Sequence, residues 1–198
     1  RDSLYFFASF YGRGIYCYNA RQKKIELLNQ QSSPVRLTQT TITNLYLEGN
    51  RFLWILTDNR VEVLDIPSWT IKSYEIQSPL THEPLNIIKD MCRVKHAYYL
   101  AVYGFGIVEL DSSMRVRNVI AQQEGIGNIN LYKVFSVGDS AVLATSNSGM
   151  YVYNIRTGRV KSFFAEDGLN SNGFEQFSGY MDKDNCIIGG IDGLDRKS

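Results

Sequence analysis

The sequence predicts an all-β chain assembled from repeated four-stranded antiparallel sheets, and three observations carry that expectation. One pattern recurs: Gly14-Ile15-Tyr16-Cys17-Tyr18-Asn19, Arg60-Val61-Glu62-Val63-Leu64-Asp65, Gly106-Ile107-Val108-Glu109-Leu110-Asp111 and Gly149-Met150-Tyr151-Val152-Tyr153-Asn154, with Gly193-Leu194 beginning it a fifth time. The residues after the first column, Ile15, Val61, Ile107, Met150 and Leu194, are separated by 46, 46, 43 and 44 positions. The composition agrees, because 13 Tyr, ten Phe and two Trp in 198 residues suit the pleated, half-buried surface of a strand. A steady period in the low-to-middle forties, filled with short strands, is the pattern of β-propeller blades.

Each repeat reads as four strands, over approximately 1–30, 41–77, 85–121, 129–165 and 172–198. The second repeat predicts strands at Ile42–Glu48, Phe52–Thr57, Val61–Ile66 and Thr70–Ile76. The third predicts Asn86–Val94, Ala97–Tyr103, Ile107–Asp111 and Arg115–Ile120, and the fourth Asn130–Val137, Ala141–Ser146, Met150–Asn154 and Arg159–Phe164. The first repeat lacks its opening strand and the fifth ends in its third strand. Gly14, Gly106, Gly149 and Gly193 occupy the first column, where a tight turn needs positive φ or no side chain. Arg60 departs from that column but follows Asp58-Asn59, and Asn tolerates the left-handed region. Asn19, Asp65, Asp111 and Asn154 close the strand with Asx-type turns. The stretch from Ala20 to Gln31 could pass locally for a helix, but the repeat register makes it an outer strand. Trp54 is assigned to packing between blades, in a column with Ala8, Leu100, Leu143 and Ile187.

The expected architecture is therefore a partial β-propeller of about four to five blades. It begins in mid-strand and stops abruptly at Asp195-Arg196-Lys197-Ser198, as expected of a fragment of a larger ring. Its cut sides would expose pairing edges, through which neighbouring blades of the parent protein or a second copy can dock. A balance of 21 basic and 20 acidic residues supplies no global field for nucleic acid or an anionic membrane. No apolar run approaches the roughly 20 residues of a spanning helix. Cys17, Cys92 and Cys186 are an odd number without CxxC spacing, read as buried strand thiols.

Several segments resemble a known family. Phe163-Phe164-Ala165-Glu166-Asp167-Gly168-Leu169-Asn170-Ser171-Asn172 is similar to the blade-joining linker of two-component regulator propeller repeats. Phe52-Leu53-Trp54-Ile55-Leu56-Thr57 resembles one of their strands, and Ile188-Gly189-Gly190-Ile191-Asp192-Gly193-Leu194 resembles a late motif of their second propeller. Gln77 to Leu85 and Ala121 to Asn128 depart from the linker pattern. The resemblance implies the periplasmic sensor region of a hybrid two-component histidine kinase, anchored in the inner membrane, with an oligosaccharide as its ligand. The kinase would lie outside this chain.

The residues offer little catalytic chemistry, and the segment is expected to be non-catalytic and without a cofactor. His82 and His96 read as solvated turn residues. The Gly-x-Gly triplets at Gly12, Gly104 and Gly125 lack the third glycine of a dinucleotide fingerprint. Asp182-Lys183-Asp184-Asn185 begins like a calcium loop without its later ligands. Asp167 is expected to bond nearby backbone. The informative positions are the turn tips before the first column, Arg13, Asn59, Phe105, Ser148 and Asp192, with Tyr11 and Tyr103 two positions earlier in their repeats. A varied polar and aromatic set on a regular scaffold is where a propeller binds, and rings beside hydrogen-bonding groups suit a sugar. Docking of a partner protein is the alternative use of such a face, and a carbohydrate-cleaving site with paired carboxylates a more distant one.

Overall fold

A computed structural model of the chain describes residues 5–10, 12–85, 87–181 and 185–197. Among these residues, eighteen strands run in five antiparallel sheets, each a meander whose sequence neighbours are hydrogen-bonded. The first sheet holds β1 (Tyr5–Phe10), β2 (Gly14–Asn19) and β3 (Lys24–Leu28). The second holds β4 (Ile42–Glu48), β5 (Phe52–Thr57), β6 (Arg60–Asp65) and β7 (Thr70–Glu75). The third holds β8 (Ile88–Val94), β9 (Ala97–Val102), β10 (Gly106–Leu110) and β11 (Val116–Ile120). The fourth holds β12 (Leu131–Val137), β13 (Ala141–Ser146), β14 (Met150–Asn154) and β15 (Arg159–Phe163), and the fifth β16 (Phe174–Met181), β17 (Cys186–Gly190) and β18 (Gly193–Lys197). This is an all-β propeller architecture, with three strands in each terminal sheet as the repeat predicts. The segment 20–31 carries strand β3 rather than a helix.

The chain divides into two compact units, Arg1–Ile88 with the first two sheets and Lys89–Ser198 with the other three. In the first unit, Ile15, Cys17 and Leu28 pack on Leu53, Ile55 and Leu64 of the second sheet, with Val35 and Leu37 of the joining segment between them. In the second unit, Tyr99, Ala101 and Ile107 meet Val142, Ala144, Tyr151 and Tyr153, while Leu143 and Met150 meet Phe174, Cys186 and Ile188. Each fully buried aliphatic or Phe side chain in these layers contributes about 1.5–3 kcal/mol. The three thiols are buried, and burial pushes Cys17 and Cys186 up to about 11.

Turn length corrects one predicted column. β1–β2 and β9–β10 pair Phe10 with Gly14 and Val102 with Gly106 across three residues, whereas β5–β6 pair Thr57's neighbour Leu56 with Val61 around the two-residue turn Asp58-Asn59. One extra turn residue moves the preceding strand by one register position and exchanges its faces. Trp54 lies opposite Val63 and Leu143 opposite Val152, both the third residue after Gly or Arg in the repeat. The residues opposite the matching positions Cys17 and Glu109 are Phe7 and Tyr99, so these, and not Ala8 and Leu100, share the Trp54 column. Trp54 itself is buried, and its Nε1 donates to Glu48 Oε2 at 2.9 Å.

The first-column glycines have a steric reason. Gly14 and Gly106 sit at φ +106° and +96°, and a Cβ there would stand 2.2 and 2.3 Å from the carbonyl oxygens of Leu28 and Ile120 on the adjoining outer strand. Arg60 escapes this differently from the expectation. Its N–H donates to Thr57 Oγ1 at 3.1 Å, that hydroxyl donates back to the Arg60 carbonyl at 3.2 Å, and Asn59 is not among the described residues at positive φ. The Asx turns appear at Asn19, Asp111 and Asn154, whose side-chain oxygens accept two backbone N–H groups each.

A second correction concerns the joining segments. Ala121 to Asn128 departs in sequence from the family-like linker, yet it folds the same way. In the later segment Asp167 Oδ2 accepts the Phe164 N–H at 3.0 Å, Gly168 takes φ +92° and Leu169 is buried. In the earlier one Glu124 Oε2 accepts the Ala121 N–H at 2.8 Å, Gly125 takes φ +105° and Ile126 is buried. Glu-Gly-Ile performs the task of Asp-Gly-Leu, because a carboxylate reaching back three residues, a left-handed glycine and an apolar plug are all the turn requires.

Candidate functional site

Arg13, Asn59, Phe105 and Asp192 stand immediately before β2, β6, β10 and β18, and Ser148 lies one residue further from the start of β14. Tyr11 lies outside the described residues, as do Asp182, Lys183 and Asp184. His82 and His96 are exposed turn residues. Arg13, Ser148 and Asp192 are exposed, and Asn59 and Phe105 are half-buried.

Within the second unit, backbone bonds tie these turns to the joining segments. The N–H groups of Gly104 and Gly106 both donate to the Ile129 carbonyl, at 3.1 and 3.2 Å. Asn128 Nδ2 donates to Asn147 Oδ1 at 2.7 Å, Gly149 N donates to the Asn172 carbonyl, and Ile191 N to that of Gly173. The turns holding Phe105, Ser148 and Asp192 thus form one margin with segments 128–130 and 170–173. In the first unit, Gln39 Nε2 reaches Asn59 Oδ1 at 3.0 Å, which ties the joining segment 29–41 to the turn of the second sheet.

A buried side chain clasps the incoming segment in both units. Tyr151, 1% exposed, accepts the Asn128 N–H at 2.9 Å and donates its hydroxyl proton to the Ser148 carbonyl at 2.7 Å. At the matching position of the second sheet, Glu62 is fully buried and its Oε1 accepts the Thr38 N–H at 2.9 Å.

Beside that margin the second unit gathers residues that the turn column alone does not reveal. Lys89, Tyr132 and Glu175 are the second residues of the opening strands β8, β12 and β16. Tyr103 stacks on Tyr132 with ring centroids 6.4 Å apart and planes 15° from parallel. Lys89 Nζ stands 5.9 Å from the centre of the Tyr103 ring and donates to Gln176 Oε1 at 3.0 Å. Partial burial, with Tyr103 and Glu175 nearby, raises the Tyr132 hydroxyl above its ordinary pKa. So the structure brings the predicted Tyr103 together with Lys89, Tyr132 and Gln176.

A bulge supplies Gln176. β16 pairs Phe174 with Gly190 and next Gly179 with Ile188, so four residues of β16 stand against one of β17. Ser178 Oγ closes the bulge, bonding the Glu175 carbonyl at 2.9 Å and the Gly189 carbonyl at 3.0 Å. At its tip Phe177 takes φ +63° and is 63% exposed. An aromatic side chain held in the left-handed region and turned to solvent is strained backbone of the kind that marks binding sites.

One residue further along the opening strands, Lys133 Nζ meets Asp90 Oδ2 at 3.0 Å, and the same oxygen accepts the Val134 N–H at 3.0 Å. Burial pushes the Asp90 carboxyl up, against the opposing pull of Lys133. This nearly enclosed pair holds β8 to β12, the strands that present Lys89 and Tyr132. Among the described residues no cluster of three His, Cys, Asp or Glu is placed to hold a metal ion, and no helix is long and apolar enough to cross a membrane.

The first unit has a different feature, a depression of about 320 Å³ lined by Gly12, Arg13, Leu27, Asn29, Gln30, Gln31 and Thr40. It lies between the turn of the first sheet and the segment that leaves β3.

No protein-family model matches the chain, and no curated protein matches it in sequence. Solved structures do match in fold. The extracellular domain assigned to a one-component system, BT4673 of B. thetaiotaomicron, aligns over 98% of this chain and 28% of its own length, with TM-score 0.80 and 15% identity. The extracellular domain assigned to the hybrid two-component system BT3049 of the same organism aligns over 97% of this chain and 32% of its own, with TM-score 0.58 and 14% identity. The structure of U3-55K aligns over 97% and 57%, with TM-score 0.70 and 7% identity. The chain spans less than a third of the two bacterial domains. At these identities the likeness establishes the shared fold.

Proposed function

We propose that this chain is a non-catalytic ligand-recognition segment of an extracytoplasmic bacterial sensor, and that its ligand is an oligosaccharide. The observation that carries the reading is the Tyr103–Tyr132 stack flanked by Lys89 and Gln176 and bordered by the exposed Phe177. Aromatic faces take the apolar C–H side of a sugar ring, while an amine and an amide address its hydroxyls. The fold shared with extracellular domains of bacterial signalling systems supports a sensor role in the periplasm, with the kinase elsewhere in the parent protein.

A disaccharide of about 23 heavy atoms at about −0.3 kcal/mol each would bind with a dissociation constant near 10 μM, a useful range for sensing a nutrient. Calorimetric titration of the full chain against a panel of neutral and acidic disaccharides tests the reading. Tyr132→Ala is expected to weaken binding at least tenfold while leaving the denaturation midpoint within the range of a half-buried surface substitution. Absence of heat with every sugar, together with recovery of a protein partner by the same face, would replace it with a docking role.

The outer faces of the terminal sheets support a second part of the proposal, that neighbouring blades of the parent protein cover them. Phe6 and Phe10 of β1 are 56% and 59% exposed, and Tyr180 and Leu194 of the fifth sheet 63% and 68%. The corresponding faces inside each unit are buried by the next sheet. In isolation the same faces favour a homodimer, which light scattering across a concentration series would detect.

A further inference from the structure

We infer that the depression beside Arg13 is a subsite for an anionic sugar residue, one bearing a carboxylate or a sulfate. The inference rests on the saccharide reading above and adds a separate site, within the first unit, with its own chemistry.

Three observations converge on it. Arg51 and Arg60 of the second sheet are neutralised by Asp65 at 3.2 Å and by Glu75, but among the described residues no carboxylate pairs with Arg13. The lining of the depression contains no acid, and apart from Gly12 and Leu27 its other members are three amides and the hydroxyl of Thr40. Its cationic group is also particular to this sheet, since the matching turn positions are Asn59, Phe105, Ser148 and Asp192.

The wall of the depression is built rather than loose. Ser32 Oγ accepts the Asn29 N–H at 3.0 Å and bonds the carbonyls of Asn29 and Val35. Asn29 Oδ1 accepts the Gln31 N–H at 2.7 Å, Gln30 Nε2 donates to the Thr38 carbonyl at 2.8 Å, and Leu37 N donates to the Asn29 carbonyl at 3.0 Å. Below it Val35 and Leu37 are buried. The Asn29 and Gln30 amides are therefore held in place in the depression that Arg13 also lines, and a guanidinium's planar fork matches two oxygens of a carboxylate or sulfate. A depression of about 320 Å³ has room for a sugar ring.

Calorimetry on the full chain with a glucuronyl disaccharide and its glucosyl counterpart, which differ only in carboxylate against hydroxymethyl, decides the matter. A third arm with the 6-O-sulfated glucosyl disaccharide separates the two anions. At this site the acidic sugars are expected to bind about tenfold tighter than the neutral one, the gain of one charge-assisted contact. Arg13→Gln should abolish that preference, and Arg13→Lys should retain part of it. Equal affinity for charged and neutral sugars, or a preference that survives Arg13→Gln, overturns the subsite while leaving the Tyr103–Tyr132 reading intact. If no sugar binds at all, both readings fall together.

Discussion

The second and fourth sheets solve one mechanical problem with different chemistry. Each must hold the segment that arrives from the preceding sheet, and each does so with the second residue after the repeat's first column. In the fourth sheet this is Tyr151, a neutral group whose hydroxyl is used as both acceptor and donor. In the second it is Glu62, whose Oε1 holds the Thr38 N–H while Oε2 is buried with no hydrogen-bond partner among the described residues. The repeat thus specifies a place and a reach, and the residue filling it decides how much net stability the clasp contributes. A satisfied hydroxyl gains its bonds at little desolvation cost, whereas a carboxylate with an orphaned oxygen offsets its bond by that cost.

The comparison is broken most forcefully at Tyr151. Tyr151→Ala empties a packed site between the third and fourth sheets and should cost about 3–5 kcal/mol, read as a drop in the urea midpoint. Tyr151→Phe keeps the ring and removes only the hydroxyl, leaving the Asn128 N–H unpaired. A loss of about 1–3 kcal/mol is expected, and a value near zero would show that the clasp contributes nothing beyond packing. Glu62→Gln should shift stability by less than about 1 kcal/mol, since the amide oxygen retains the Thr38 bond while the buried charge disappears. A loss comparable to Tyr151→Phe would show that the two clasps are equivalent after all.

The smallest effect concerns pH. Asp111 closes the same turn as Asn154, and the backbone N–H groups of Arg115 and Ser113 hold its carboxyl below the usual range. A carboxyl lowered on folding stabilises the native state above its unfolded pKa of about 3.9, and that contribution is lost as pH falls through the folded value. Asp111→Asn should therefore be less sensitive to acid than the natural sequence below about pH 4, with little difference at pH 7. Identical acid titrations of stability would remove the turn from the account.

Much of this molecule is legible in one dimension. The period of the first column, the aromatic strands and the Asx residues Asn19, Asp111 and Asn154 are local signals, and strand positions follow them within one or two residues. The margin proposed to bind ligand was half legible. Tyr103 follows from the turn column, and the spacing of Thr43, Lys89, Tyr132 and Glu175, at 46, 43 and 43 positions, marks a second variable column that a reading centred on the glycines passes over. Gln176 and Phe177 carry no such mark, because the bulge that presents them depends on Ser178 bonding a carbonyl of the neighbouring strand.

By itself, then, the order of residues determined the number of sheets, the strands within them and the turns that end them, since each rests on contacts a few residues apart. Tertiary structure decided which face Trp54, Tyr99 and Leu100 present, since one extra turn residue exchanges the faces of a whole strand. It also decided that Glu124-Gly125-Ile126 copies the Asp-Gly-Leu turn, and that Tyr103 meets Tyr132 and Lys89. Such pairings depend on register and on distances across strands, which spacing along the chain does not encode.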